Sequence, residues 1–222
     1  MKFTALITHG RSGGTALQNA LNSVPGVIIR GENHAALYWL GKAFRSLQYA
    51  RKFGAGNGED PGGPWFGAGG INLDGFLAAQ RALVIEQILR PGSSTELLGF
   101  KEIRYEPAWI PSFEELLDHL IFLDELFPGI CFVINRRNPA VSSKSSWWAG
   151  FPDAFQRLEC VYEWFGSLPD YLEARLGRNA ALLVEYEEWS TDSGKLEPVW
   201  DFLGLGWDAG RVREVLGHRL AH

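Results

Sequence analysis

His9-Gly10-Arg11-Ser12-Gly13-Gly14-Thr15-Ala16 is the stretch on which the reading of the fold turns. It follows an apolar run, Phe3–Thr8. It precedes Leu17, Ala20, Leu21 and Val24, which recur at i, i+3, i+4 and i+7 as on one face of a helix. A strand, a glycine loop and a helix in that order form an anion cradle. The glycines (Gly10, Gly13, Gly14) let the backbone bend tightly with its N–H groups turned inward. The helix start adds free donors and partial positive charge. Arg11 brings a planar donor fork suited to a tetrahedral oxyanion. Thr15 offers a hydroxyl, and Ser12 and Ala16 complete the candidate set with their amides. No lysine precedes Thr15, so the loop departs from G-x-x-x-x-G-K-[ST], which argues against an ATP or GTP enzyme dependent on Mg²⁺. A plain strand-to-helix turn is the simpler alternative.

Working outward, Val27–Arg30, Leu97–Lys101, Cys131–Asn135 and Ala181–Glu185 are further short apolar runs that read as buried strands. Segments of helical period separate them, such as Leu116, Leu117, Leu120, Leu123 and Leu126. This alternation predicts an α/β fold of three layers, a parallel sheet flanked by helices on both faces. Ligands of such sheets gather at the carboxyl ends of the strands. Residues 1–222 read as one domain without internal repeats. One segment breaks the pattern: Gly54 to Gly70 is crowded with glycine and proline and carries Trp65 and Phe66. It is expected to be neither helix nor strand, within an irregular loop over about 54–73. It is either a surface excursion or a lid, since long loops in compact domains are often functional.

The 222 residues are 46% hydrophobic and 21% charged, which excludes a disordered chain. The net charge of −5 argues against a general nucleic-acid binder. Two cysteines, Cys131 and Cys160, make no disulfide framework or metal-binding cluster, and Cys131 is expected to be a buried thiol. No signal peptide and no run of ~20 apolar residues is present, so the chain reads as cytoplasmic, reduced and without a transmembrane segment.

A second cationic loop follows the run Cys131–Asn135: Arg136-Arg137-Asn138-Pro139-Ala140-Val141-Ser142-Ser143-Lys144-Ser145. Asn138 suits an N-cap and Pro139 the first helical position. Ser145 would then lie about two turns into the helix. It could converge with Arg137 on one phosphate. The alternative is a pair of solvated arginines beside polar surface serines. Two separated anion sites suit a ligand with more than one phosphate.

These residues resemble the sulfotransferase family that uses 3′-phosphoadenosine-5′-phosphosulfate (PAPS). Arg11-Ser12-Gly13-Gly14-Thr15 is similar to its 5′-phosphosulfate loop, [KR]-S-G-T-[TS]. Arg137-Asn138-Pro139 with Ser145 resembles its 3′-phosphate motif, R-[DN]-P with a serine eight residues after the arginine. Gly99-Phe100-Lys101-Glu102-Ile103-Arg104-Tyr105 looks like a string of its bacterial and carbohydrate-type members. Glu185-Tyr186-Glu187-Glu188 and Phe202-Leu203-Gly204 look like its Y-E-[DE] and F-L-G segments. The resemblance implies a P-loop NTPase-like fold, PAPS as donor, PAP as product and no metal. It implies that Arg11, the loop amides and Thr15 hold the 5′-phosphosulfate while Arg137 and Ser145 hold the 3′-phosphate. The acceptor would be a hydroxyl on a saccharide, lipid or small metabolite. Two departures stand out. Gly14 replaces a common threonine, and Ile103 stands where the aryl and steroid branch carries a catalytic histidine.

The base therefore has to come from elsewhere. Glu32, in Gly31-Glu32-Asn33-His34 after the second strand, is the first candidate, because a carboxylate shielded from water gains basicity. His34 is the second and Glu102 the third. Glu32 and His34 also fit as helix-start residues without a catalytic role. Lys101 is positioned to touch the bridging oxygen or the sulfuryl group, or is a strand-end charge. Trp65, Phe66, Trp147 and Trp148 are acceptor-pocket candidates. A nucleotide-dependent kinase on a related fold, and a non-catalytic PAP-binding protein, are the competing readings.

Overall fold

The structure is a computed structural model, and it describes residues 1–217; residues 218–222, the end of the expected domain, lie outside the described residues. Five parallel strands, β1 (Lys2–Ile7), β2 (Val27–Arg30), β3 (Leu97–Glu102), β4 (Cys131–Arg136) and β5 (Ala181–Glu185), form one sheet in the order β2-β3-β1-β4-β5. All five expected strands are present, with β2 and β5 matching end to end. Successive side chains point to opposite faces of a strand. Ala5 and Ile7 of β1 accordingly join one core, and Leu6 between them joins the other.

The larger core lies under α2 (Ala36–Asn57), α3 (Leu73–Leu83), α4 (Phe113–Leu126) and α6 (Ala154–Leu176). The smaller lies under α1 (Gly14–Asn22), α8 (Glu197–Leu203) and α9 (Ala209–Gly217), where Leu17 and Leu21 meet Val199 and Trp200. The sheet is thus covered on both faces, as an all-parallel sheet requires. After β1 the chain travels to the β2 side of the sheet, and after β4 it travels to β5. The carboxyl ends of β1 and β4 are neighbours, so their crevice is the topological switch point where ligands of such sheets bind. Both cationic loops leave the sheet there.

The Gly/Pro-rich segment differs from expectation. Residues 54–57 complete the last turn of α2, and Ala68–Gly70 form a 3-10 turn packed against it. Glycine makes this possible: a Cβ on Gly54 would lie 2.3 Å from the Gly69 nitrogen. The helix carries the segment roughly 27 Å from its own start at Ala36. There the loop lines a cavity of about 1100 Å³ with Arg51, Asp60 and Trp65. The linings of that cavity and of the cleft at the first glycine loop share no residue. Trp65 stacks on Phe53 at this far end, ring centroids 5.3 Å apart, and Phe66 beside it is likewise remote from the cradle. Cys131 is half-buried rather than buried, because it opens β4 at the rim of the smaller core.

Candidate active site

The first loop is held from behind by its carbonyls. The His9 carbonyl accepts from the Ser12 hydroxyl at 2.7 Å and the Ser12 amide at 3.3 Å. The Gly10 carbonyl accepts from Trp148 Nε1 at 3.0 Å, and the Arg11 carbonyl from Arg137 Nη1 at 2.6 Å. The Ser12 carbonyl accepts from Asn135 Nδ2 at 2.8 Å, and the Gly13 carbonyl from the Leu17 amide at 3.1 Å. With five successive carbonyls engaged, the amides of Gly13, Gly14, Thr15 and Ala16 have no acceptor among the described residues. These are the unpaired donors of a helix start, and they face a cleft of about 340 Å³. Ser12 is a correction: its side chain is buried and its amide is already used, so it braces the loop and does not line the cleft.

Gly13 is required twice over. Its φ is 81°, and a Cβ there would lie 2.4 Å from the Tyr186 ring. Gly13→Ala is expected to cost on the order of 2–4 kcal/mol in urea unfolding. Gly150→Ala, whose Cβ would meet nothing within 4 Å, should stay within about 0.5 kcal/mol of the parent. The two variants melting alike would contradict this account of the loop. At Gly14 a Cβ would lie 2.8 Å from the Thr8 hydroxyl, so glycine in place of the common threonine is matched to the Thr8 beneath it.

Arg137 and Ser145 do reach the first loop. Arg137 contacts the Arg11 carbonyl, its guanidinium lies 4.3 Å from the Tyr186 ring centroid, and its Nε makes no hydrogen bond. Arg11 Nε is 3.4 Å from the Ser145 hydroxyl. Asn138 caps as expected, accepting from the Ala140 amide at 2.9 Å. The helix it starts, α5 (Pro139–Ser142), is a single turn, so Ser145 sits in extended backbone beyond it and not two turns inside. The reason is local: Ser142, Ser143, Ser145 and Ser146 are weak helix formers, and the next residues are pulled onto the first loop. There Trp148 is 1% exposed and donates to Gly10, which makes it a brace and not an acceptor contact. Trp147 stacks on it, 4.3 Å between centroids, and lines the cleft while 46% exposed.

Glu32 and Lys101 complete the cleft. Lys101 Nζ lies 2.8 Å from Glu32 Oε1 and 3.3 Å from the Thr15 hydroxyl. Arg104 Nη1 lies 3.1 Å from Glu32 Oε2. Burial raises the Glu32 carboxyl, but hydrogen bonds and charge from Lys101 and Arg104 outweigh it and hold the group below the ordinary carboxylate range. The expectation of a carboxylate made more basic by shielding is corrected by those two cations. Glu102 is also corrected as a base. It is buried, and its two oxygens take four backbone amides, those of Asn33, Ala35, Ile103 and Arg104. His34 is exposed, packs edge-on against Trp109 with centroids 4.9 Å apart, and does not line the cleft.

Sequence reasoning assigned no individual role to four residues. Tyr186, on the one-turn helix α7 (Tyr186–Trp189), walls the cleft. Buried Asn135 ties β4 to the first loop and accepts from Trp189 Nε1 at 2.8 Å; a polar residue closing an apolar strand was its only signal. Arg104 pairs with Glu32. His9 is 2% exposed, with Nδ1 3.0 Å from the Gly10 carbonyl and Nε2 without a hydrogen-bond partner. Burial pushes His9 down to about 4 and His119, in α4, down to about 3. Unfolded imidazole titrates near 6.5, so below that pH the unfolded chain binds more protons. Stability is then complete above about pH 6.5 and falls as pH drops toward 4. Urea unfolding should lose about 2 kcal/mol per buried histidine between pH 7 and 5. His119→Leu should lose less over the same range; a flat profile for both proteins would contradict this.

No helix among the described residues is long and apolar enough to cross a membrane. Among curated proteins none matches the sequence. In fold the chain is similar to the sulfotransferase domain of the Synechococcus PCC 7002 olefin synthase. The TM-score is 0.57 at 18% identity, over 97% of this chain and 76% of that one. It is also similar to the sulfotransferase domain from the curacin biosynthetic pathway, with a TM-score of 0.53 at 12% identity, over 96% of this chain and 77% of that one. The fold is thus the P-loop-like α/β fold of sulfotransferases. The model of the sulfotransferase family matches residues 5–209, which is nearly the whole chain and takes in both cationic loops. This chain belongs to the sulfotransferase family.

Proposed function

We propose that the chain transfers a sulfuryl group from PAPS to the hydroxyl of a small acceptor in the cytoplasm. One observation carries the reading: Arg11, Arg137 and Ser145 gather beside four unpaired amides at the switch point of the sheet, with Lys101 and Glu32 on the same cleft. The two phosphate groups of PAPS hang from one ribose, so two anion sites in contact with each other suit it. The amides of Gly13 to Ala16, the Thr15 hydroxyl and Arg11 would hold the 5′-phosphosulfate. Arg137, whose Nε lacks a hydrogen bond, and Ser145 would hold the 3′-phosphate.

PAPS, when bound, supplies the sulfuryl group and a phosphate leaving group. Glu32 accepts the proton of the acceptor hydroxyl as that oxygen bonds to sulfur. Lys101, Arg11 and the loop amides stabilise the charge that collects on the departing phosphate as its bond to sulfur breaks. Positioning and fixed charge dominate such transfers. Glu32 serves by placement and by being ionised at neutral pH, not by a raised pKa. Trp147, rigid on Trp148, offers the acceptor an apolar face.

The test is transfer of ³⁵S from labelled PAPS to a panel of phenols, alkyl alcohols and saccharides. A labelled sulfate ester that depends on the protein is the expected result. Tight PAP binding with no product from any acceptor would favour a non-catalytic PAP-binding protein.

A further inference from the structure

Arg104 is not among the residues that line the cleft, yet it contacts Glu32, which is. A single nitrogen, Nη1, lies 3.1 Å from Glu32 Oε2 and 2.9 Å from Glu102 Oε1. Glu102 is immobile: it is 3% exposed and held by backbone amides on both sides. Two of those amides belong to the loop after β2 that carries Glu32, and two to the chain leaving β3. Glu102 therefore pins the two loops to each other, and Arg104 extends that anchor outward to Glu32. The guanidinium is backed by Trp109, 5.4 Å from the ring centroid.

Glu32 is gripped on both oxygens. Lys101 takes Oε1 from β3, and Arg104 takes Oε2 from the following loop. A carboxylate with a cation on each oxygen has its plane fixed, whereas one held by Lys101 alone would still rotate about that contact. The charged groups facing it are Lys101 and Arg104, with Glu102 behind Arg104; Arg11 and Arg137 stand on other walls of the cleft.

We infer that Arg104, anchored on Glu102, is the positioning residue that orients the Glu32 carboxylate toward the acceptor hydroxyl. This rests on the proposed role of Glu32 as base. Glu102, with both oxygens taken up by four amides and Arg104, fixes geometry. The arrangement makes a concrete electrostatic claim, since a cation 3 Å from a carboxylate favours its ionised form.

The test needs no acceptor. In protein labelled with [δ-¹³C]glutamate, the Glu32 resonance is assigned by its loss in Glu32→Gln and then titrated. Arg104→Met should move the Glu32 midpoint to higher pH, and Arg104→Lys should move it less. Both should bind PAP within about twofold of the parent. If the methionine variant does not fold, Arg104→Gln, which keeps a donor without the charge, takes its place with the same expected direction. An unmoved midpoint in the folded variants would overturn the inference. So would a PAP affinity that falls by about tenfold or more, because Arg104 would then act on the nucleotide. Failure of the parent protein to bind PAP would strike the proposed function instead, and leaves the titration readable.

Discussion

Glu32→Gln is expected to lower sulfuryl transfer by about 10²–10⁴ and to leave PAP affinity unchanged. Glu32 is the carboxylate on the cleft that is neither buried nor saturated by backbone amides, its side chain being 32% exposed. Glutamine keeps the size and one acceptor oxygen but cannot take a proton. It also releases Lys101 and Arg104 from a shared anion, and both remain tethered, Lys101 by Thr15 and Arg104 by Glu102. The residues proposed to hold the nucleotide are others, so binding should survive. The measurement is initial rate with ³⁵S-labelled PAPS beside calorimetric titration with PAP. Full rate in Glu32→Gln would remove it as the base.

The second large effect concerns Arg137. Arg137→Ala should weaken PAP binding by roughly 10- to 150-fold, the equivalent of one charged hydrogen-bonding partner at about 1.5–3 kcal/mol. Two contributions point the same way. The side chain brings a guanidinium to the cleft, its Nε 4.0 Å from Glu187 Oε1, and its Nη1 holds the Arg11 carbonyl, so its loss also loosens the cradle. Arg137→Lys should recover only part, because an ammonium cannot bridge the Arg11 carbonyl and an anion while lying flat on Tyr186. Calorimetry on variants with unchanged melting temperature reads the effect. Equal PAP affinity in Arg137→Ala would show that the second loop does not hold the nucleotide.

The sheet was legible because buried parallel strands are short apolar runs, and the five here are separated by helical periodicity strong enough to mark each one. Both cationic loops were legible for a related reason. Glycines, an N-cap asparagine and arginines at the ends of strands are local signals of backbone shape. What was not legible is what depends on distant pairing. Trp148 looked like a ligand contact beside Trp147, yet the indole nitrogen of one reaches Gly10 138 residues away while the other remains open. Glu102 and Glu32 are both acidic residues near strand ends, and only the fold shows that one is saturated by amides and the other by two cations. The glycine-rich segment stayed open between a surface excursion and a lid because its composition says nothing of where a 22-residue helix delivers it.

The most direct test is calorimetric titration of the whole chain with PAP in the presence of EDTA, set beside ATP with Mg²⁺. A cleft that holds two phosphates of one ribose without metal predicts a PAP dissociation constant of about 1 μM or below and ATP·Mg²⁺ binding at least ~100-fold weaker. ATP·Mg²⁺ binding more tightly than PAP, or no heat from PAP at all, would contradict it.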